Sequence, residues 1–335
     1  MRATIDTLTF AEKMRERIIR PSSGEILVSR LAGSEQEQDL TAPTNCGGVG
    51  RIRHFARATP AGWPPNPLPI DPACKSLGLP RANVMHAQVF QNAACAWRCW
   101  YCYVPFNLLA GDASRGEWVT SDELVARYLR QSSRPAVIDL SGGSPDLTPE
   151  WIPWMMASLQ RAGLSKSTYL WSDDNLSTDY VFTKLSESDR RLMSEYRNYG
   201  RVCCIKGFDQ RSFTFNTTAQ PIGYDQQFEI LRRYVSLNID LFCYVTLTGD
   251  DVESVDAGIG DLMDRLCAIH EKLPLRVVPL RIANYSPTIR RAKDESESFA
   301  LAEQVQLLAI EKWRGELSRR FTASERALNI ADVQL

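Results

Sequence analysis

The chain has 335 residues, 44% hydrophobic and 24% charged, with a formal net charge of −1, a balance that excludes a disordered chain and implies no bulk electrostatic partner. Nine cysteines are too few for a disulfide scaffold, and their odd count with three in one cluster fits a reducing compartment and metal use. No run of about 18 apolar residues occurs and the N-terminus has no apolar signal core, so a cytoplasmic protein without membrane contact is expected.

Residues 1–82 read as an irregular N-terminal extension packed on the domain that begins near residue 83. Thr9–Arg20 predicts a short helix stopped by Pro21, and Glu25–Leu31 a strand. Gly33–Arg81 is rich in Gly, Pro, Asn and Ser, and its run from Gly62 through Trp63 to Pro69 cannot sustain a helix or a central strand. Ile52, Phe55 and Trp63 are more apolar than a free linker needs, so the segment is expected to be ordered. Cys46 and Cys74 read as small buried residues or free thiols, since a second metal site would need two further ligands. From Leu40 to Gly111 six bases (Arg51, Arg53, Arg57, Lys75, Arg81, Arg98) stand against one acid, Asp71. They read as a solvated face with groups that meet a ligand carboxylate, or as a surface for an anionic partner such as nucleic acid.

From Val84 a strand–helix alternation begins. The strand candidates are Val84–Phe90, Ala136–Leu140, Thr168–Trp171, Val202–Ile205, Leu241–Leu247 and Leu275–Ile282, short apolar runs suited to a parallel sheet buried on both faces. Helical spacing fills the gaps at Trp151–Gly163, Tyr224–Leu237 and Ala257–Leu273. A last helix, Glu295–Arg320, is expected to bury Val305, Leu308, Ala309, Trp313 and Leu317, with a frayed or capping tail behind it. Six βα units over residues 83–285, followed by a helix and tail over 286–335, argue a barrel-like α/β sheet. Chemistry in such sheets gathers at the carboxyl ends of the strands.

Just past the first strand lies Cys95-Ala-Trp-Arg-Cys99-Trp-Tyr-Cys102, three thiols spaced C-x3-C-x2-C. Three thiolates on one loop suit three irons of a 4Fe-4S cube. A structural zinc site would need a fourth Cys or His, and the nearest, His86, lies on the preceding strand. Trp97 and Trp100 read as a shield against water or as packing residues. With Tyr101 before the last cysteine, the loop resembles the signature of the radical S-adenosylmethionine (SAM) superfamily. That resemblance implies a partial (β/α)6 barrel of the TIM-like type, a 4Fe-4S cluster on Cys95, Cys99 and Cys102, and SAM completing the fourth iron. It further implies an electron donor of the flavodoxin or ferredoxin type.

Each later strand ends in a motif that extends the resemblance. Ser141-Gly142-Gly143-Ser144-Pro145 is similar to the superfamily's Gly-Gly-Glu-Pro stretch that meets the amino group of SAM, with Ser144 in the Glu position. Glycines there admit a close approach of the main chain and a positive φ. Asp173 and Asn175, past the third strand, resemble the carboxylate and amide that approach SAM, and share a side if the backbone stays extended. Their other reading is a helix cap.

Cys203-Cys204-Ile205-Lys206 resembles the Asp-x-Lys stretch of the glycyl-radical-enzyme activases, the branch nearest in layout, and puts Lys206 on SAM's carboxylate. Cys203 and Cys204 alternate faces, so one at most points inward. Gln210–Asn216 reads as a polar, aromatic substrate-facing loop, and Gly249 to Glu253 as a segment flanking adenine. Arg281, past the sixth strand, stands where the activases reach the ribose. An open six-stranded barrel leaves a lateral gap for part of a macromolecule, so a peptide or protein side chain is the first substrate reading and a nucleotide or RNA the second. No cysteine follows Cys267 in this sequence, so an auxiliary C-terminal cluster is not expected. The competing class is a non-catalytic metal-binding module whose basic region docks a partner.

Overall fold

The computed structural model describes residues 4–282, 285–293 and 296–335. Its strands are β1 (Ile19–Arg20), β2 (Glu25–Ser29), β3 (Gly50–Ala56), β4 (Val84–Phe90), β5 (Gly116–Thr120), β6 (Val137–Leu140), β7 (Tyr169–Asp174), β8 (Tyr199–Ile205), β9 (Asp240–Thr246) and β10 (Val277–Leu280). The helices are α1 (Thr7–Glu16), α2 (Ile70–Leu77), α3 (Ser121–Leu129), α4 (Trp151–Arg161), α5 (Tyr180–Thr183), α6 (Glu187–Glu195), α7 (Gln210–Thr217), α8 (Ile222–Val235), α9 (Val255–Ile269), α10 (Ser286–Lys293), α11 (Ser296–Arg320) and α12 (Ala323–Arg326). β1, β2 and β5 make a small antiparallel sheet; the large sheet runs β10-β9-β8-β7-β6-β4-β3. Its six strands from β4 to β10 are parallel, as expected for the partial (β/α)6 barrel, and the sheet curls into a half-barrel.

Alternation along the strands divides the core in two. Outward residues such as Ile138, Leu140, Leu170, Ile205, Leu241 and Val245 pack under the helical layer of α4, α8 and α9. Inward residues Ala87, Val137, Tyr169, Trp171, Val202, Phe242 and Tyr244 fill the half of the lumen nearest the strands' amino ends. Among the described residues no helix is long and apolar enough to cross a membrane.

The extension departs from its expected irregularity. β3 pairs antiparallel with β4, Arg51 opposite Val89, Arg53 opposite Ala87 and Phe55 opposite Met85, and becomes a seventh strand of the barrel. α2 starts right after Pro69 and stops at Gly78, whose φ of +65° suits a glycine cap. Its Ile70, Ala73 and Cys74, with Leu68, plug the lumen from below. The Trp63 indole donates to the carbonyl of Pro279 at 2.9 Å, so the segment after β3 reaches across to β10. The lateral gap anticipated for a macromolecule is therefore bridged on that side.

The basic run is also redistributed. Arg51 and Arg53 turn into the lumen, Arg57 pairs with Asp71, Lys75 with Asp332 and the carbonyl of Ala331, and Arg98 holds the carbonyls of Cys95, Trp97 and Leu109. Of the six, Arg81 stays an exposed base, which leaves no continuous solvent-facing stripe.

Three regular elements, β5, α3 and α7, were not among those expected. β5 and α3 follow the cysteine loop, with Thr120 and Glu123 forming a capping box. Gln210–Asn216 is helix α7 rather than a substrate loop, started by Asp209 accepting from the Ser212 amide. In α11, Val305, Ala309 and Trp313 are buried as expected but Leu308 is exposed; Glu295, its predicted start, lies outside the described residues. The tail is docked: Ile330, Ala331 and Val333 are buried, and Arg276 Nε donates to the Val333 carbonyl at 2.7 Å.

Candidate functional site

The cysteine loop leaves β4 through Asn92, whose side chain is bonded to Ser144 O and Thr148 Oγ1. It is pinned from several sides. Trp97 is buried behind it, its indole donating to Thr7 Oγ1 at 3.0 Å and its edge against Phe213, so it is a packing residue for α1 and α7. Trp100 Nε1 donates to Asn216 Oδ1 at 3.1 Å. Arg291, on α10, donates to the carbonyls of Trp100, Cys102 and Val104 at 3.0, 2.6 and 3.0 Å, a clamp that sequence spacing did not indicate.

Cys95 and Cys99 are buried and Cys102 is half-buried. Burial chiefly, with the Cys95 and Cys102 sulfurs beside it, pushes Cys99 up to about 12, and burial with Cys95 nearby raises Cys102. Among the described residues no group of three or more His, Cys, Asp or Glu is compact enough to hold a metal ion. A mononuclear zinc site gathers every sulfur on one ion, whereas a cube takes one thiolate per iron and a wider set of sulfurs. Three thiols on one loop, with no fourth Cys or His beside them among the described residues, suit the cube. Cys46 and Cys74 lie apart, their thiols raised by burial, with Arg127 and Arg57 as neighbours.

The β6 turn meets this loop. Ser141 Oγ donates to Asp173 Oδ2 at 2.6 Å. Gly142 and Gly143 adopt φ of +91° and +71°, and a Cβ at Gly143 would strike the carbonyl oxygens of Ala94 and Asn92. The glycines thus allow contact between the turn and the cysteine loop itself. Pro145 is buried behind them.

Ser144 is fully buried, and its hydroxyl lies 3.1 Å from Cys95 Sγ rather than in the lumen. Ser144 Oγ accepts from Asn175 Nδ2 at 2.9 Å and from the Ala96 amide at 3.3 Å. A hydroxyl has one hydrogen and two acceptor sites. With both acceptor sites engaged, its hydrogen is directed at the Cys95 sulfur.

β7 alternates through its end. Asp173 faces inward, while Asp174 faces the helical layer, bonded to Arg201 Nη1 at 2.7 Å and Tyr234 O–H at 2.8 Å. Asn175 then returns to the cysteine side, its amide also donating to Gly143 O at 3.3 Å. Cys204 points inward and Cys203 outward, both thiols raised by burial. Lys206 is buried on the inner side. Burial disfavours its charge, yet Cys204, Tyr101, Cys99 and Cys95 around it hold its pKa well above the ordinary lysine value. Tyr101 meets Thr246 Oγ1 at 3.1 Å. Arg281 is exposed past β10 and joins none of these contacts.

Deeper in the lumen sits a charged group the sequence reading missed. Arg53 Nη1 is 3.5 Å from Asp139 Oδ2 and 3.4 Å from Ser141 Oγ, and Arg51 Nη2 donates to Tyr103 O–H at 3.0 Å. Burial, then the Asp173 charge, pushes Asp139 up to about 8; burial also raises Asp173, against the pull of Arg53. The available signal was period-2 alternation in Arg51-Ile52-Arg53-His54-Phe55 and a lone acid in Val137-Ile138-Asp139-Leu140.

No protein-family model matches the chain, and no curated protein matches it in sequence. Two solved structures are similar in course. One is Streptococcus suis SuiB bound to S-adenosylmethionine, at 12% identity and a TM-score of 0.42, covering 64% of this chain and 47% of that one. The other is spore photoproduct lyase complexed with dinucleoside spore photoproduct, at 14% identity and 0.41, covering 61% and 59%. The chain spans about half the length of each, and the functional reading rests on the site itself.

Proposed function

We propose that this protein is a radical SAM enzyme. The observation that supports it is the meeting, at the carboxyl end of the parallel sheet, of a three-thiol loop with the Gly142–Gly143 turn, Asn175 and Lys206. When bound there, a 4Fe-4S cluster supplies the electron that cleaves SAM reductively, giving the 5'-deoxyadenosyl radical that takes a hydrogen atom from the substrate.

Cys95, Cys99 and Cys102 are the residues that would hold the cluster. Lys206 offers a cation to the carboxylate of SAM, and the β6 turn presents backbone to its amino group. Trp97 and Phe213 behind the loop exclude water, and Arg98 and Arg291 fix the loop's carbonyls. Electrons come from an external donor of the flavodoxin or ferredoxin type. The substrate enters from the carboxyl ends of the strands, because α2 occupies the base of the lumen and Trp63 bridges its side.

Anaerobic reconstitution tests this reading. The expected result is a brown protein with about four irons per chain that converts SAM to 5'-deoxyadenosine under reductant. A colourless protein that takes up zinc instead would establish the non-catalytic module.

A further inference from the structure

β3 lies outside the six strands on which SAM is expected, yet it sends two guanidinium groups into the same lumen. Their situations differ. Arg53 shares its charge with Asp139 and Asp173. Arg51 is only 6% exposed, bonds through Nη2 to a neutral phenol, and leaves Nε without a partner. Among the described residues no carboxylate comes within ion-pair distance of it. Asp139 and Asp173 feel its charge from beyond that distance but are engaged by Arg53; a buried guanidinium with no carboxylate of its own is costly, so the site is built to receive one. Asp139 Oδ1 and Asp173 Oδ1 are likewise without donors.

Building on the radical SAM reading, we propose that Arg51 is the substrate anchor, receiving one carboxylate group of the substrate inside the barrel. Asp139 and Asp173 accept from donors beside that group. The planar fork of an arginine matches a carboxylate with two parallel N–H bonds. Charge selects a carboxylate over a phosphate. One guanidinium lacks a partner, one negative charge satisfies it, and a dianion would face the two acids across the lumen. On the radical SAM reading, SAM takes its contacts from the ends of β6, β7 and β8, so the carboxylate at Arg51 is the substrate's. The extension thus serves as the wall that selects the substrate.

The test titrates butyrate, a monocarboxylate, and in a second arm inorganic phosphate, into the anaerobically reconstituted full chain with SAM present, followed by calorimetry. Saturable butyrate binding is expected, weakened about tenfold or more in Arg51→Gln, with SAM affinity unaltered. Arg51→Lys, which keeps the charge without the fork and is the milder change to the fold, should recover part of the loss. The proposal is overturned if butyrate does not bind, if either variant binds it as the natural chain does, if phosphate binds in preference, or if Arg51→Gln loses SAM instead. A chain that assembles no cluster sinks the radical SAM reading alone, because the butyrate titration of the cluster-free chain still reports on Arg51.

Discussion

Replacing Ser144 by Ala removes the hydroxyl directed at the Cys95 sulfur of the loop. Its hydrogen faces Cys95 Sγ at 3.1 Å because its acceptor sites are filled by Asn175 Nδ2 and the Ala96 amide. A hydrogen bond to a charged acceptor contributes about 1.5–3 kcal/mol. It strengthens when the cluster gains an electron and the sulfur becomes more negative, so only the difference between oxidation states enters the potential. Taking that difference as about 1 kcal/mol, and about 59 mV per tenfold for one electron, Ser144→Ala should move the midpoint roughly 40 mV more negative. Asn175→Ala, which frees the hydroxyl to rotate, should give a smaller shift of the same sign. The assay is a redox titration of the reconstituted chain read by electron paramagnetic resonance. An unchanged midpoint in Ser144→Ala at full iron content would refute the directed hydrogen bond.

Three further outcomes are expected from the geometry. Gly143→Ala should fold but reconstitute with much less iron, because a Cβ at φ +71° is driven into Ala94 and Asn92 carbonyls; iron content equal to the natural chain would contradict this. Arg291→Met removes three charged hydrogen bonds from the loop and should cost about 2–4 kcal/mol, read as a lower melting temperature and faster iron loss to a chelator. Asp139 has a folded pKa of about 8, above its unfolded value, so the folded state binds the extra proton and stability falls as pH rises toward that value. Asp139→Asn should remove this fall, so the gap in melting temperature in its favour should widen from pH 5 to pH 8; a constant gap would count against a protonated Asp139.

The six parallel strands were legible because each is an apolar run buried on both faces, and β4 matches its expected limits, Val84–Phe90. The cysteine loop was legible because ligand spacing is local. The features that escaped notice depended on partners far along the chain. β3 looked irregular because its inward positions are arginines, which an apolar-in pattern scores as solvent, and because its stability comes from the edge of β4. Arg291 carries no local signal; its role exists because α10 brings it over carbonyls nearly two hundred positions earlier.

Ser144 shows where motif and structure diverge. By position it sits in a stretch associated with SAM, but a serine side chain is too short to leave the packed turn, and burial forces its hydrogen onto the nearest acceptor, the Cys95 sulfur. A longer acidic side chain at that position would have to point away from the thiols. The serine therefore ties the β6 turn to the cysteine loop through its side chain, and what the turn can offer a ligand is its backbone.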